Sequence, residues 1–280
     1  MASIKSRLIQ GQWRWASAAG LEPDAQGYLP SYELNLFKPL NERSRLAFEN
    51  GSGSELRDTP GHRAKMRAAH SSSALAVNVF DAWVDRDTRP LVRALGLEPV
   101  LVNVRFEAQF PTGLPGNPPN LDVALERTDR FVFGIESKFT EWLTPKSASR
   151  PPFKAKYFPP GTGVWERVGL TATQRLAESI QSKEITFRYL DAPQLIKHAL
   201  GLATHLGRRF RLLYSYFDCP GSEAAAHHSE LNRFSERVRD EIGFQALSYQ
   251  DLFSRLEESA DMPFDYLDYL RCRYFGGFQE

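Results

Sequence analysis

Residues 120–142 read NLDVALERTDRFVFGIESKFTEW and carry the alternation of apolar and polar side chains that is typical of a β-hairpin. Successive side chains on a strand point to opposite faces. Apolar side chains share one face of the two strands: Leu121, Val123, Leu125, Phe131, Phe133, Ile135 and Phe139. Asp122, Glu136 and Lys138 share the other. The stretch therefore predicts a hairpin with one core face and one charged face.

The length of the hairpin loop decides whether the two faces stay separate. Paired residues in antiparallel strands lie on the same face. A two-residue loop after Arg127 would pair Asp122 with Ile135 and mix a charge with the core. A three-residue loop over residues 128–130 pairs Asp122 with Glu136 and keeps the apolar and the charged side chains on separate faces. We therefore predict the three-residue loop, with a bulge.

Two carboxylates and one ammonium group share a small patch of the charged face. Asp122 and Glu136 cannot both stay ionised at close range without a counter-charge. Lys138 supplies one positive charge, and a divalent cation that prefers oxygen ligands, Mg²⁺ or Mn²⁺, would supply the rest. The small neighbours Ala124 and Gly134 are expected to leave the patch open. The pattern indicates metal-assisted hydrolysis of a phosphodiester.

Two neighbouring strand motifs resemble the signature of a nuclease superfamily. Asp122 followed by Glu136-Ser137-Lys138 resembles the signature of the PD-(D/E)XK nucleases, with Leu121 where the proline is expected. Four longer pieces resemble one bacterial group of that superfamily, described as restriction endonucleases. They are GSGSEL at 51–56, HSSSALAVNVF at 70–80, PNLDV at 119–123 and IESKFTE at 135–141. The second half of the chain matches only in its order of elements.

This resemblance implies a Mg²⁺-dependent DNA endonuclease of the type II restriction class, active in bacterial defence, for which Mn²⁺ can substitute. The implied metal ligands are Asp122, Glu136 and the main-chain carbonyl of Ser137. Lys138 then positions or activates water. Two alternatives stay open: a non-catalytic DNA-binding or interaction module on the same fold, and an ordinary ion-paired surface worth only about 0–1 kcal/mol.

Two further acids are secondary candidates for the metal site. The resemblance suggests Glu55, and its alternative is a solvated glutamate at a helix start. Alternation along residues 100–110 places Glu107 on the polar face of a strand, where the alternative is an ion pair with Arg105 or Lys138. If that strand neighbours the hairpin, Glu107 lies beside the other acids.

The order of predicted elements is helix, strand, hairpin, helix, strand, helix. It matches the αβββαβ core that the resemblance implies, an α/β fold with a mixed central sheet flanked by helices. The nuclease-like domain is expected over residues 51–260, preceded by an N-terminal arm at 1–50 and followed by a helical tail at 261–280. The arm is expected to pack on the core with little structure of its own. On the helix that opens at Asp191, His198 is expected on a polar face, with a role as general base as the alternative.

The long stretch at residues 144–169 interleaves basic and aromatic side chains. Such a segment can follow a phosphate backbone and stack on bases. The residues predicted to contact DNA are Lys146, Arg150, Lys154, Lys156, Tyr157 and Trp165. The alternative is an ordered cover over the core.

Composition limits the class of protein and its partners. The net charge of +1 and the hydrophobic content of 42% over 280 residues favour a folded domain with local rather than global contact to nucleic acid. Two cysteines, no leader sequence and no membrane-spanning apolar run predict a cytoplasmic protein that is not membrane-bound. Cleavage of double-stranded DNA favours a homodimer. Because the sequence has no methylation motif, protection of host DNA would need a separate methyltransferase.

Overall fold

A five-stranded mixed sheet lies at the centre of the computed structural model, which describes residues 3–51, 53–147, 151–259 and 263–276. The strands follow one another in chain order. They are β1 (Asn103–Gln109), β2 (Asn120–Glu126), β3 (Val132–Lys138), β4 (Phe210–Tyr216) and β5 (Gln245–Ser248). The first three pair antiparallel, and β4 and β5 continue the sheet in parallel from β3.

Helices cover both faces of this sheet. They are α1 (Ile4–Ala18), α2 (Glu42–Asn50), α3 (Ser72–Phe80), α4 (Arg89–Ala94), α5 (Thr171–Gln181), α6 (Ala192–Leu206), α7 (Ser222–Ile242), α8 (Tyr249–Glu257) and α9 (Phe264–Leu270). Neighbouring residues on β3 point to opposite faces, and Glu136 contacts α6 whereas Ser137 contacts α8. The predicted α/β class with a mixed central sheet and flanking helices is confirmed. No helix among the described residues is both long and apolar enough to cross a bilayer.

The β2–β3 hairpin has the predicted register. Val123 pairs with Ile135, so Asp122 is placed opposite Glu136. The main-chain N–H of Arg127 donates to the carbonyl of Phe131 at 2.9 Å, which leaves a three-residue loop between them. The last loop residue, Arg130, has a φ of 66°, the left-handed conformation expected in such a loop. The predicted three-residue loop is confirmed.

The charged face of the hairpin is covered rather than open. Ala124 and Gly134 pair with each other and are both buried. A Cβ on Gly134 would lie 2.7 Å from Cδ2 of Leu121 and 3.2 Å from Cδ1 of Leu202 on α6. The expectation that these small residues leave the patch open is therefore wrong. The space above Gly134 is filled because β3 is a central strand with helices on both faces.

The first forty residues contain more structure than predicted. Helix α1 spans 15 residues, and the Ser3 side chain caps it by accepting from the Ser6 N–H. The buried residues Leu8, Gln12 and Ala16 are four apart and share one face. The prediction of an arm with little structure was wrong because one of the three buried positions is polar, which weakens the apolar periodicity.

The two ends of the chain pack together near α3. The guanidinium of Arg273, which follows α9, lies 4.3 Å from the Trp15 ring of α1. It also donates to the carbonyl of Asn35 at 2.6 Å. The Tyr274 hydroxyl accepts from the amide of Asn78 on α3 at 2.9 Å. These contacts join α1 and the segment after α9 to the core, and the predicted boundaries of arm, core and tail stay a prediction.

Close packing of α6 against the end of β1 gives a test of the fold. A Cβ on Gly201 would lie 2.4 Å from the carbonyl oxygen of Phe110. Gly201→Ala is therefore expected to lower the free energy of unfolding by about 1–3 kcal/mol, although alanine is favoured over glycine in a helix interior by about 1 kcal/mol. Urea denaturation measures the change. The control is Thr204→Ala at an exposed position of α6, with an expected change within about 0.5 kcal/mol. A gain in stability for Gly201→Ala would contradict this packing.

Candidate active site

A buried ion pair lies at the C-terminal end of strand β3. The side chain of Glu136 is 1% exposed and that of Lys138 is 14% exposed. The Lys138 ammonium donates to Oε1 of Glu136. On the other side of this carboxylate, Nε2 of His198 lies 2.9 Å from Oε2. The alternation of β3 points Glu136 and Lys138 to the face that α6 covers, so the carboxylate lies between a strand lysine and a helix histidine.

Asp122, near the start of β2, faces this pair across the hairpin. It is partly exposed, and its Oδ2 accepts from the main-chain N–H of Ser137 at 2.7 Å. The N–H and C=O of one strand residue point to the same side, so the Ser137 carbonyl is directed to the side of β3 on which Asp122 lies. The Ser137 hydroxyl is hydrogen-bonded to the hydroxyl of Tyr249 on α8 at 2.6 Å. Strand β3 is thus fixed from both faces at the site.

The charges of the two acids are set by burial and by each other. Burial and the charge of Glu136 raise the pKa of Asp122 well above its usual value, against the opposing charge of Lys138. Burial alone would raise the pKa of Glu136, but Lys138 and His198 outweigh burial and lower this pKa to about 2. Burial is likewise outweighed at Lys138, where Glu136 and Asp122 raise the pKa well above its usual value. Glu136 and Lys138 therefore form an ion pair, and burial beside Glu136 makes Asp122 the harder of the two acids to ionise.

Glu107 on β1 lies beside Asp122 in a strained conformation. The register places these two residues opposite each other between two regular pairs, and Glu107 has a φ of 48° inside the strand. Its carboxylate accepts from the side-chain amide of Asn120 at 2.6 Å. Burial, followed by the charge of Glu55, raises the pKa of Glu107 to about 7. Strain and a raised pKa together are typical of a functional position.

Glu55 reaches the same neighbourhood from a loop. It is 8% exposed, and it accepts from the Ser73 hydroxyl of α3 at 2.6 Å and from the Lys65 ammonium at 3.0 Å. Its charge acts on Glu107, whose pKa is also raised by Glu136. The structure thus brings both secondary acid candidates to the edge of the site. Their role in holding a metal stays a prediction.

The donor set of the site can be compared with the needs of a divalent cation. Among the residues that the structure describes, no three His, Cys, Asp or Glu side chains form a ready-made ion site. Oε2 of Glu136 and Nε2 of His198 are both buried and lie 2.9 Å apart, and neither makes a hydrogen bond to any other group among the described residues. A buried carboxylate near a second carboxylate suits Mg²⁺, which is held by one or two carboxylates and keeps several waters. The oxygen donors of Asp122, Glu136 and the Ser137 carbonyl fit such an ion in their chemistry, and their role as its ligands stays a prediction.

The aromatic residues predicted to stack on DNA bases are packed in the core. Trp165 is 0% and Tyr157 is 6% exposed. Their rings stack on each other, with centroids 5.7 Å apart, and the Trp165 indole N–H donates to the carbonyl of Ile196 at 2.9 Å. The prediction that these two rings contact bases is wrong. They instead attach the irregular stretch at residues 144–169 to α6.

The basic residues of that stretch have mixed environments. Lys154 is exposed, Lys146 is ion-paired with Asp191 at 2.9 Å, and the ammonium of Lys156 donates to the carbonyl of Pro115. Arg150 lies outside the described residues. Contact of these cations with DNA stays a prediction.

His198 is the residue of the site that the sequence interpretation placed wrongly. It was expected on a polar helix face, but it is 3% exposed and contacts Glu136. The sequence contains a signal that could have found it. His198 follows Leu195 by three residues and precedes Leu202 by four, which is the spacing of residues on one helix face. Both leucines are buried, so this spacing predicts a histidine directed to the core.

The mixed sheet with flanking helices is consistent with a restriction-endonuclease-like fold. A family model described as Restriction Endonuclease associating with ARP matches residues 7–275, so the chain belongs to that family. No curated protein matches the chain. No solved structure matches it either.

The raised pKa of Glu107 predicts how stability changes with pH in the presence of a chelator. The folded state keeps this proton up to about pH 7, whereas the unfolded state loses it near the usual value of 4.5, so stability falls as the pH rises between these values. Between pH 5 and 8 the wild type is expected to lose on the order of 1–3 kcal/mol of its free energy of unfolding through this group. Glu107→Gln should remove that loss. Urea denaturation across this range measures the slope. In the wild type and in Glu107→Gln alike, Asp122 also makes stability fall as the pH rises, because its pKa is raised too.

The matched control is Glu126→Gln, which lies on β2 in an ion pair with Arg105 at 2.9 Å. We expect this variant to keep the slope of the wild type. Equal slopes for Glu107→Gln and the wild type would show that Glu107 does not carry the proton.

Proposed function

We propose that this protein is a Mg²⁺-dependent endonuclease of the PD-(D/E)XK superfamily that cuts double-stranded DNA as a type II restriction enzyme in bacterial defence. The observation that carries the proposal is the β2–β3 register, which sets Asp122 opposite Glu136 beside Lys138. Membership of a restriction endonuclease family supports the nuclease activity. The strained acid Glu107 on the neighbouring strand adds negative charge where a cation would bind.

The metal would be held by oxygen ligands from the two hairpin strands. Asp122, Glu136 and the carbonyl of Ser137 are the proposed ligands, and Mn²⁺ would replace Mg²⁺. When bound, the ion would polarise a phosphate oxygen and lower the pKa of the attacking water. Two closely placed acids repel each other when ionised, which supports a cation between them. A bound ion would lower the raised pKa of Asp122 and favour its carboxylate form, since a metal ligand must be deprotonated.

Lys138 acts as a proton donor or a fixed positive charge rather than as a base. Glu136 and Asp122 raise its pKa, so the ammonium keeps its proton at neutral pH. A protonated lysine cannot take a proton from water. It can orient the water, and it can stabilise the negative charge that develops on the phosphate oxygens. Its partial exposure gives it access to a bound phosphate.

The proposed biological setting follows from the substrate. Cutting both strands of DNA would use two copies of the site in a two-fold homodimer. A separate methyltransferase would protect host DNA, and both proteins would act in the cytoplasm. The description of the family also suggests a partner named ARP. The exposed Lys154, together with Lys146 and Lys156, would contact the DNA backbone, so binding should weaken with salt.

Removal of one charged group of the site should abolish most of the cleavage. Asp122→Asn, Glu136→Gln and Lys138→Ala are each expected to lower the cleavage rate at least about a hundredfold, the scale of one lost electrostatic contact in the transition state. A panel of methylated and unmethylated DNA measures the rate with Mg²⁺, with Mn²⁺ and with chelator. The wild type should cut only when metal is present.

Glu126→Gln is the matched control for cleavage, since it removes a carboxylate from β2 outside the site. We expect it to cut at nearly the rate of the wild type. Normal cleavage by a folded Lys138→Ala variant would refute the proposed role of this residue. A wild type that binds DNA in chelator and cuts no substrate would favour the non-catalytic module instead.

A further inference from the structure

Glu136 is contacted at both of its carboxylate oxygens by groups of different mobility. Oε1 accepts from Lys138, whose ammonium ends a flexible four-carbon chain and whose side chain is 14% exposed. Oε2 lies 2.9 Å from Nε2 of His198, whose side chain is 2% exposed. One contact therefore involves a partly exposed, flexible group, and the other involves a buried ring.

The His198 ring is held in place by the packing of its helix. The neighbouring residues Leu195, Ala199 and Leu202 are at most 1% exposed. Helix α6 also approaches the backbone of Phe110 so closely at Gly201 that a Cβ would lie 2.4 Å from the carbonyl oxygen. A side chain on such a rigid helix is a fixed point against which a carboxylate can be oriented.

We propose that His198 is a positioning residue that orients the Glu136 carboxylate for metal binding. The inference rests on the proposed function. When Lys138 turns towards a substrate phosphate, it leaves Oε1, and the fixed imidazole keeps Oε2 in place. The carboxylate then stays aimed at the space that it shares with Asp122. When a group that hydrogen-bonds to a metal ligand and orients it is replaced, metal affinity typically falls about 10–100-fold.

A purely structural role for His198 makes a different prediction. If the ring only fills space between α6 and β3, an apolar side chain of similar size would serve equally well. Metal affinity would then be independent of the polar group at this position. A comparison of variants with and without an N–H at the position of Nε2 distinguishes the positioning role from the space-filling role.

The experiment measures Mn²⁺ binding to the full-length protein by electron paramagnetic resonance, without DNA. The amide nitrogen of glutamine can take the position of Nε2, whereas the shorter asparagine reaches only as far as Nδ1. His198→Asn and His198→Leu are expected to weaken Mn²⁺ binding about tenfold or more. His198→Gln should stay within about threefold of the wild type, because it keeps the N–H. Urea denaturation confirms that each variant is folded, and the Asn and Gln pair suffices if His198→Leu is unstable.

Glu136→Gln separates failure of this inference from failure of the proposed function. If the wild type binds no Mn²⁺, or binds it no more tightly than Glu136→Gln, the proposed metal site is wrong and the role of His198 is overturned with it. If Glu136→Gln weakens binding but His198→Asn binds like the wild type, only the role of His198 is overturned. Equal losses in His198→Gln and His198→Asn would also overturn it.

Discussion

The pairing of Asp122 with Glu136 across the β2–β3 hairpin is the constraint on which the site depends. Side chains alternate along a strand with a period of two, so a slip of one residue would set Asp122 against the buried Ile135. The three-residue loop that ends in the left-handed Arg130 prevents this slip. A short local structure thereby determines which charges meet about 20 Å further along the two strands, because Asp122 and Glu136 are each six residues from the loop and a strand rises about 3.3 Å per residue.

The site concentrates negative charge that the folded chain only partly neutralises. Glu107 and Asp122 have raised pKa values, and Glu107 has a strained backbone. Lys138 is shared by two acids, Glu136 and Asp122. Such an arrangement lowers the stability of the protein without a ligand, and it is common where function requires a fixed geometry. The contacts of β3 with His198 on one face and Tyr249 on the other hold this geometry.

The order of elements, the hairpin register and the helix caps could be predicted because each depends on local sequence. Asp191, for example, at which this helix was expected to open, caps α6 by accepting from the N–H of Gln194. The environment of the site could not be predicted in the same way. Which helix covers a strand face depends on distant residues, so the filling of the space above Gly134 by Leu202 had no local signal.

Residues with two chemical characters were the hardest to place from sequence. Tyr157 and Trp165 lie among lysines, which suggested a nucleic-acid groove, but their large apolar rings are buried. His198 is polar by composition but has the spacing of a core residue. Glu55 and Glu107 are far apart in the chain, and their proximity arises from the packing of a loop against α3. Long-range packing decides the positions of the two rings and the two acids, whereas the helical spacing of His198 is a local signal.

A crystal grown with Mn²⁺ tests the central claim most directly, because anomalous scattering locates the ion without reference to activity. The account predicts one strong anomalous peak in contact with the carboxylates of Asp122 and Glu136, and the loss of that peak in crystals of Glu136→Gln. Mn²⁺ bound elsewhere at saturating concentration, with no peak between these two carboxylates, would contradict it.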